Sequence, residues 1–176
     1  MRNRSNGRFA AALALSWLAA ARSVSASPEL WVPEPERVAY AVGNMTFNAN
    51  DLGLSDAFFE HALEEHLADA GLSAYRAEKL ADDHVLFLDL VVEETTFVAS
   101  IEFWRKAEFA LPNGTMHSDY VIVWEDFCVG EHENDPDTIS RSVARVLDSF
   151  VEDYRQTNQQ QLAFEFRPSA AIVSAQ

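Results

Sequence analysis

The sequence predicts an α+β domain: an antiparallel meander sheet with two helices packed on one face. Three observations carry that expectation. From residue 84 onward apolar residues recur at every second position through three segments. Two further segments, one on each side of these, have helical spacing and recognisable caps. The resulting order, β-α-β-β-β-α, leaves both helices for a single layer over the sheet.

Taken in order, residues 1–26 stand outside the fold. Arg2, Arg4 and Arg8 precede the apolar run FAAALALSWLAAA, and Val24 and Ala26 place small side chains where a signal peptidase reads them. This is the pattern of a secretory signal cleaved after Ala26, and the run is short for a membrane span. An uncleaved anchor is the alternative reading. Residues 27–36, SPELWVPEPE, hold three prolines and form an extended leader. A single domain then occupies 37–158.

Residues 37–42 read as the first strand, and the asparagine-rich stretch 44–53 as a loop. Ser55 caps a helix running to Ala70, with Gly71 as its stop. Its expected core stripe is Phe58, Ala62, Leu63, Leu67 and Ala70. Residues 75–83 fit either a short strand or an irregular crossing. The meander strands are 85–92, 97–106 and 120–129, with Leu111-Pro112-Asn113-Gly114-Thr115 as a turn. Asp135 and Pro136 open the second helix. Ile139, Val143, Val146, Leu147, Phe150, Val151 and Tyr154 mark its apolar face. Residues 159–176 are expected as a flexible tail, within which LAFEF (162–166) has some edge-strand character.

Charge narrows the partners. The chain has 13 lysines and arginines against 28 acids. Removing residues 1–26 takes away four arginines and no acid, leaving a net charge of about −19. Such a chain repels phosphate backbones and anionic lipid, so neither nucleic acid nor a membrane surface is expected. Cys128 is the only cysteine, so no intrachain disulfide forms and no lipidation cysteine follows the apolar run. Export without disulfides suits a periplasmic or secreted product that is not a lipoprotein and has no membrane span after cleavage. Asn44-Met45-Thr46 and Asn113-Gly114-Thr115 match the glycosylation pattern, which matters only in a eukaryote.

A turn centred on Glu94 and Thr95 sets Val92 opposite Phe97, Leu90 opposite Ala99, Leu88 opposite Ile101 and Leu86 opposite Phe103, all on one face. Glu-Thr lacks the positive-φ residues that a two-residue hairpin prefers. The other face then carries Val85 with Trp104, Phe87 with Glu102, Asp89 with Ser100, and Val91 with Val98. The third strand adds to it from either Tyr120, Ile122, Trp124 and Cys128, or Val121, Val123, Phe127 and Val129. A turn at Asn113-Gly114 places Glu102 against Glu125. Either choice leaves more apolar surface than a solvated face needs. Val85, Phe87, Val91, Val98 and Trp104 are therefore the candidate interface, for an envelope protein or a second copy, unless the protein's own ends cover them.

Other candidate chemistry is weaker. In FFEHALEEHLADAGL, His61 and His66 are five residues apart and diverge by about 140° around a helix, so they do not share a metal. His61 shares a face with Glu64 and Glu65, and His66 with Asp69. Residues 125–137, EDFCVGEHENDPD, crowd carboxylates into a loop. Glu131, Glu133, Asp135 and Asp137 are the only metal candidates, without EF-hand spacing and with helix capping as the competing role. That loop with His132 supports an alternative reading as a small hydrolase or cation-binding protein. A small-ligand carrier with a pocket between helices and sheet is a further alternative. No catalytic residue and no cofactor is assigned.

The stretch from ADAGL (68–72) through the meander and VWEDFCVG (123–130) to ISRSVARVLDSFVEDYRQTN (139–158) resembles the small α+β domains of bacterial cell-envelope assembly and transport-accessory proteins. The resemblance implies a non-enzymatic role in binding envelope components. It brings no motif from which site residues can be carried over.

Overall fold

The computed structural model describes residues 28–43, 45–77 and 82–165. The expected signal peptide, the glycosylation pattern's Asn44, positions 78–81 of the ambiguous segment and positions 166–176 of the expected tail lie outside the described residues.

The chain forms β1 (Arg37–Val42), α1 (Phe47–Asp51), α2 (Asp56–Asp69), β2 (Ser73–Arg76), β3 (His84–Val92), β4 (Thr96–Ala110), β5 (Met116–Glu131) and α3 (Pro136–Glu165), after a 3-10 turn at Pro28–Leu30. The class is α+β. The sheet is five-stranded, in the order β2-β1-β3-β4-β5. It is mixed rather than a purely antiparallel meander, because β1 runs parallel to both β2 and β3. The helical crossover through α1 and α2 returns the chain in its starting direction, which is how parallel neighbours are connected. β3, β4 and β5 form the expected antiparallel meander.

The β3–β4 register is the expected one at all eight positions named for it, with Val92 opposite Phe97 and Leu86 opposite Phe103. The Glu94-Thr95 turn closes it although neither residue has positive φ. His132 holds it from outside: its backbone N–H donates to the Thr95 carbonyl at 3.0 Å, and its Nε2 lies 3.1 Å from the Glu93 carbonyl. The turn is fixed by a residue 37 positions away, beyond the reach of local turn chemistry.

α1 lies where the sequence suggested a loop. Thr46 and Asn48 anchor it to the end of β3, past the reach of the shorter β1. The Thr46 hydroxyl accepts from Val92 N at 3.1 Å and donates to Val92 O at 3.2 Å, and Asn48 Nδ2 donates to the same carbonyl. α2 begins as expected, with Ser55 Oγ accepting from Phe58 N at 3.2 Å, and ends before Gly71 at φ 70°. Its buried stripe is Phe59, Leu63 and Leu67. Phe58, expected in that stripe, is exposed and stands edge-on against Phe59. Helical spacing alone does not choose between adjacent phenylalanines. Tyr40 on β1 donates to Glu64 at 2.5 Å and Arg76 on β2 pairs with Glu60 at 3.0 Å, tying α2 to the strands beneath it.

α3 continues past Asn158 to Glu165, so the first part of the expected tail is helical. Asn158 is buried and serves as an anchor: Oδ1 accepts from Val32 N, and Nδ2 donates to the carbonyls of Leu30 and Tyr154. These bonds dock the leader onto α3 and bury Leu30 and Val32 in the core. Between helices and sheet, Phe103 sits 5.5 Å from Phe150 and 5.8 Å from Tyr154, ring centre to ring centre. Burial of large apolar side chains contributes about 1.5–3 kcal/mol each, which makes this layer the source of the fold's stability.

Candidate binding face of the sheet

Strand alternation gives every core residue of the sheet a neighbour that points away from the helices. The registers order those neighbours into rows. Val85, Trp104 and Ile122 form the first; Ala41, Phe87, Glu102 and Glu125 the second; Asp89, Ser100 and Phe127 the third; Val91, Val98 and Val129 the fourth.

β5 takes its place in these rows through a β-bulge. Phe103 pairs with Trp124 while Trp104 pairs with Ile122, which leaves Val123 as the extra residue. A bulge of this kind switches the faces on either side of it. Trp124 and Cys128 therefore point toward the helices while Phe127 and Val129 point away, and beyond the bulge Ile122 also points away. Each of the two face assignments compatible with the sequence holds for half of the strand. Trp124 is fixed on the helix side, donating from Nε1 to Asp153 at 2.9 Å and meeting the Phe150 ring at 5.3 Å.

The far face is bare along much of its area. Val91 is 40 % exposed, Val98 43 %, Ile122 47 %, Phe127 62 % and Val129 64 %. The leader, one of the covers the sequence allowed, packs against α3 on the opposite side. Of the five candidates, Val91 and Val98 are open and adjacent across β3 and β4. Phe87 and Trp104 are half-buried, with ring centres 5.8 Å apart, and the Trp104 indole donates to Glu102 at 2.6 Å. Val85 is 1 % exposed and offers no contact surface. It sits toward the end of the face where the hydroxyls of Tyr75 and Tyr120 both donate to Asp82. Ile122, Phe127 and Val129 join the face only because the bulge sets their direction, a feature with no local sequence mark. Gly43 leaves room beside this face: a Cβ there would come within 2.7 Å of Asp89 Oδ1 and 3.1 Å of the Phe87 ring.

The acidic loop caps a helix. Asp135 Oδ1 accepts from Asp137 N at 3.1 Å and Oδ2 accepts from the Thr138 hydroxyl at 2.7 Å. The Thr138 hydrogen bond holds the Asp135 carboxyl below its ordinary pKa. Glu133 and Asn134 turn the chain with φ of 45° and 61°. Among the described residues no cluster of three histidine, cysteine or acidic side chains is placed to hold a metal ion, so Glu131, Glu133, Asp135 and Asp137 are not assembled into a site. His132 is 2 % exposed, and both its ring nitrogens are engaged, Nε2 with Glu93 O and Nδ1 with Asn134 N. A ring so occupied is not available as a general base. Burial pushes the Cys128 thiol up, away from the reactive thiolate. His66 pairs with Asp148 across the two helices at 3.1 Å. Beside it runs a surface cleft of about 340 Å³ lined by Phe58, Ala62, Arg141 and Ala144 among others.

Fold and face together define a small α+β domain with one helix-covered and one largely bare sheet surface. No protein-family model and no curated protein matches the chain. Among solved structures it is similar to rare lipoprotein B from Shewanella oneidensis, at 12 % identity over 72 % of this chain and 96 % of that one, with a TM-score of 0.20. At that score the likeness carries no argument about function. Among the described residues no helix is long and apolar enough to cross a membrane.

Proposed function

We propose that this protein is an exported, periplasmic, non-enzymatic binding or accessory module that presents the far face of its sheet to another component of the cell envelope. One observation carries the reading: Val91, Val98, Phe127 and Val129 lie together and exposed, with Ile122 exposed further along β5, while the leader packs on the other side of the sheet. Contiguous exposed apolar surface on a soluble domain marks an interaction site. The basic start and short apolar run of residues 1–26 support export, and the absence of a cysteine after that run supports a product that is not lipidated.

Occupied ring nitrogens on His132 and a helix-capping Asp135 argue against the hydrolase alternative. Interlocked Phe103, Phe150 and Tyr154 argue against a ligand pocket between helices and sheet. The test pairs chemical crosslinking in intact envelopes with sedimentation of the purified protein. The wild type is expected to crosslink to a partner or to self-associate, and Val98→Asp with Phe127→Asp to do neither while unfolding at the wild-type temperature. A strictly monomeric protein that crosslinks to nothing, or a double variant that keeps its partner, would contradict the proposal.

A further inference from the structure

The outer edge of the sheet is chemically one-sided. Among the described residues β5 is the last strand, and β4 engages one side of its backbone. Soluble proteins blunt such open edges with charged side chains, lysine above all, with proline, a bulge or a short strand; β5 has a bulge at Val123, and the segment from Glu125 to Glu131 lies beyond it. β5 runs for 16 residues with no proline, no lysine and no arginine, and its charges are Asp119, Glu125, Asp126 and Glu131. Glu125 lies on the bare face opposite Glu102. Glu102 already accepts from the Trp104 indole, whereas Glu125 has no hydrogen-bond or ion-pair partner among the described residues. Like charges directly across a strand pair are unfavourable, so this edge carries a carboxylate that folding alone disfavours. Along the bare face β5 reads Glu125, Phe127, Val129, Glu131 on every second residue.

Resting on the reading of this face as a binding surface, we propose that β5 accepts a sixth strand from its partner. That strand is an extended segment that presents, on alternate residues, a lysine or arginine, two apolar side chains, and a second lysine or arginine. Its backbone pairs with the open side of β5, replacing the local bond from the Phe127 N–H to Asp126 Oδ1 at 2.9 Å; in this mode main-chain hydrogen bonds give affinity and alternate side chains give specificity. Its cations stand beside Glu125 and Glu131, and its apolar residues extend the surface of Phe127 and Val129. A second copy is the poorer occupant. Its own β5 adds four carboxylates and no lysine or arginine, to a chain whose net charge is already −15.

The test is an NMR titration of the isotope-labelled protein with three synthetic peptides, each roughly nine residues long. One carries lysines at the two charged positions, one carries glutamates there, and the third is the lysine peptide N-methylated on the residues that face the edge. The lysine peptide is expected to shift the β5 amides and slow their exchange. The glutamate and N-methylated peptides are expected to bind about tenfold more weakly or worse. Glu125→Lys with Glu131→Lys is expected to reverse the preference between the first two. Equal affinities for the lysine and glutamate peptides, undiminished binding of the N-methylated one, shifts that miss β5, no binding at all, or a dimer paired through β5 would each overturn the proposal. The two proposals fail separately. If Val98→Asp with Phe127→Asp abolishes crosslinking in envelopes while the double lysine variant leaves it intact, the face is the binding surface and strand addition is wrong.

Discussion

The two faces of the sheet are built from the same strands and differ in what they do. On one, Leu86, Leu88, Leu90, Ile101 and Phe103 lie at or near zero exposure under α2 and α3. On the other, valines and Phe127 stand open between Asp89, Glu102 and Glu125. An antiparallel sheet with one solvated face normally alternates apolar inside with polar outside. Here the outer set departs from that rule most openly in the row furthest from Tyr75 and Tyr120, where Val91, Val98 and Val129 stand exposed and nothing in the described fold needs apolar side chains. The helix-covered face accounts for stability, and the bare one is free to account for binding.

Truncation separates the faces most strongly. Phe103→Ala is expected to cost about 3–5 kcal/mol and Leu88→Ala about 2–5 kcal/mol in chemical denaturation. Val98→Ala and Val129→Ala are expected to stay within about 0.5 kcal/mol of the wild type. A large loss at Val129 would break the comparison, because it would mean that another part of the chain packs there.

Gly130 tests how tightly the covered face is filled. A Cβ at this position would lie 2.8 Å from the ring of Phe97, its partner in β4, which spreads over the glycine. Gly130→Val must displace that ring and is expected to cost about 1–3 kcal/mol. A neutral result would show that the ring has room to move.

Much of this difference is legible in sequence, and the rest is hidden for physical reasons. The β3–β4 register follows from period-two alternation, because a one-residue slip sends the apolar set to the wrong face. Both main helices start at their capping residues, Ser55 and Asp135. β2 escapes because four residues, SAYR, are too short for a pattern. α1 escapes because its anchors, Thr46 and Asn48, bond to Val92 more than 40 positions away. Val91 and Val98 of the candidate face are readable from alternation. Phe127, Val129 and Ile122 are not, because the bulge at Val123 decides their direction. Val85 is misassigned for a related reason: alternation gives its side of the sheet and says nothing of its depth.

Two titrations sharpen the comparison at smaller scale. Asp135 has its folded pKa lowered, so its contribution is complete above the ordinary aspartate value near 3.9 and is lost as pH falls through the folded value. Asp135→Ala is expected to lower stability at neutral pH and to make the acid limb of the stability curve shallower, read by thermal melts across pH. Tyr154 has the opposite sign. Burial raises its folded pKa well above the ordinary tyrosine value near 10, so its contribution holds below that pH and is lost as pH rises further. Its hydroxyl has no hydrogen-bond partner among the described residues. Tyr154→Phe is therefore expected to be neutral or stabilising by up to about 1 kcal/mol at neutral pH, with a flatter alkaline limb. A clear loss of stability at neutral pH would mean that the hydroxyl is bonded after all.

Photo-crosslinking in intact cells tests the central claim most directly. A photoreactive residue is placed singly at Val98, Phe127 or Val129 on the bare face, and at His61, Glu65 or Glu152 on the helices. Intermolecular crosslinks are expected from the three sheet positions and none from the three helix positions. Crosslinks from the helix positions alone, or sheet positions that react only with the protein's own chain, would contradict that claim.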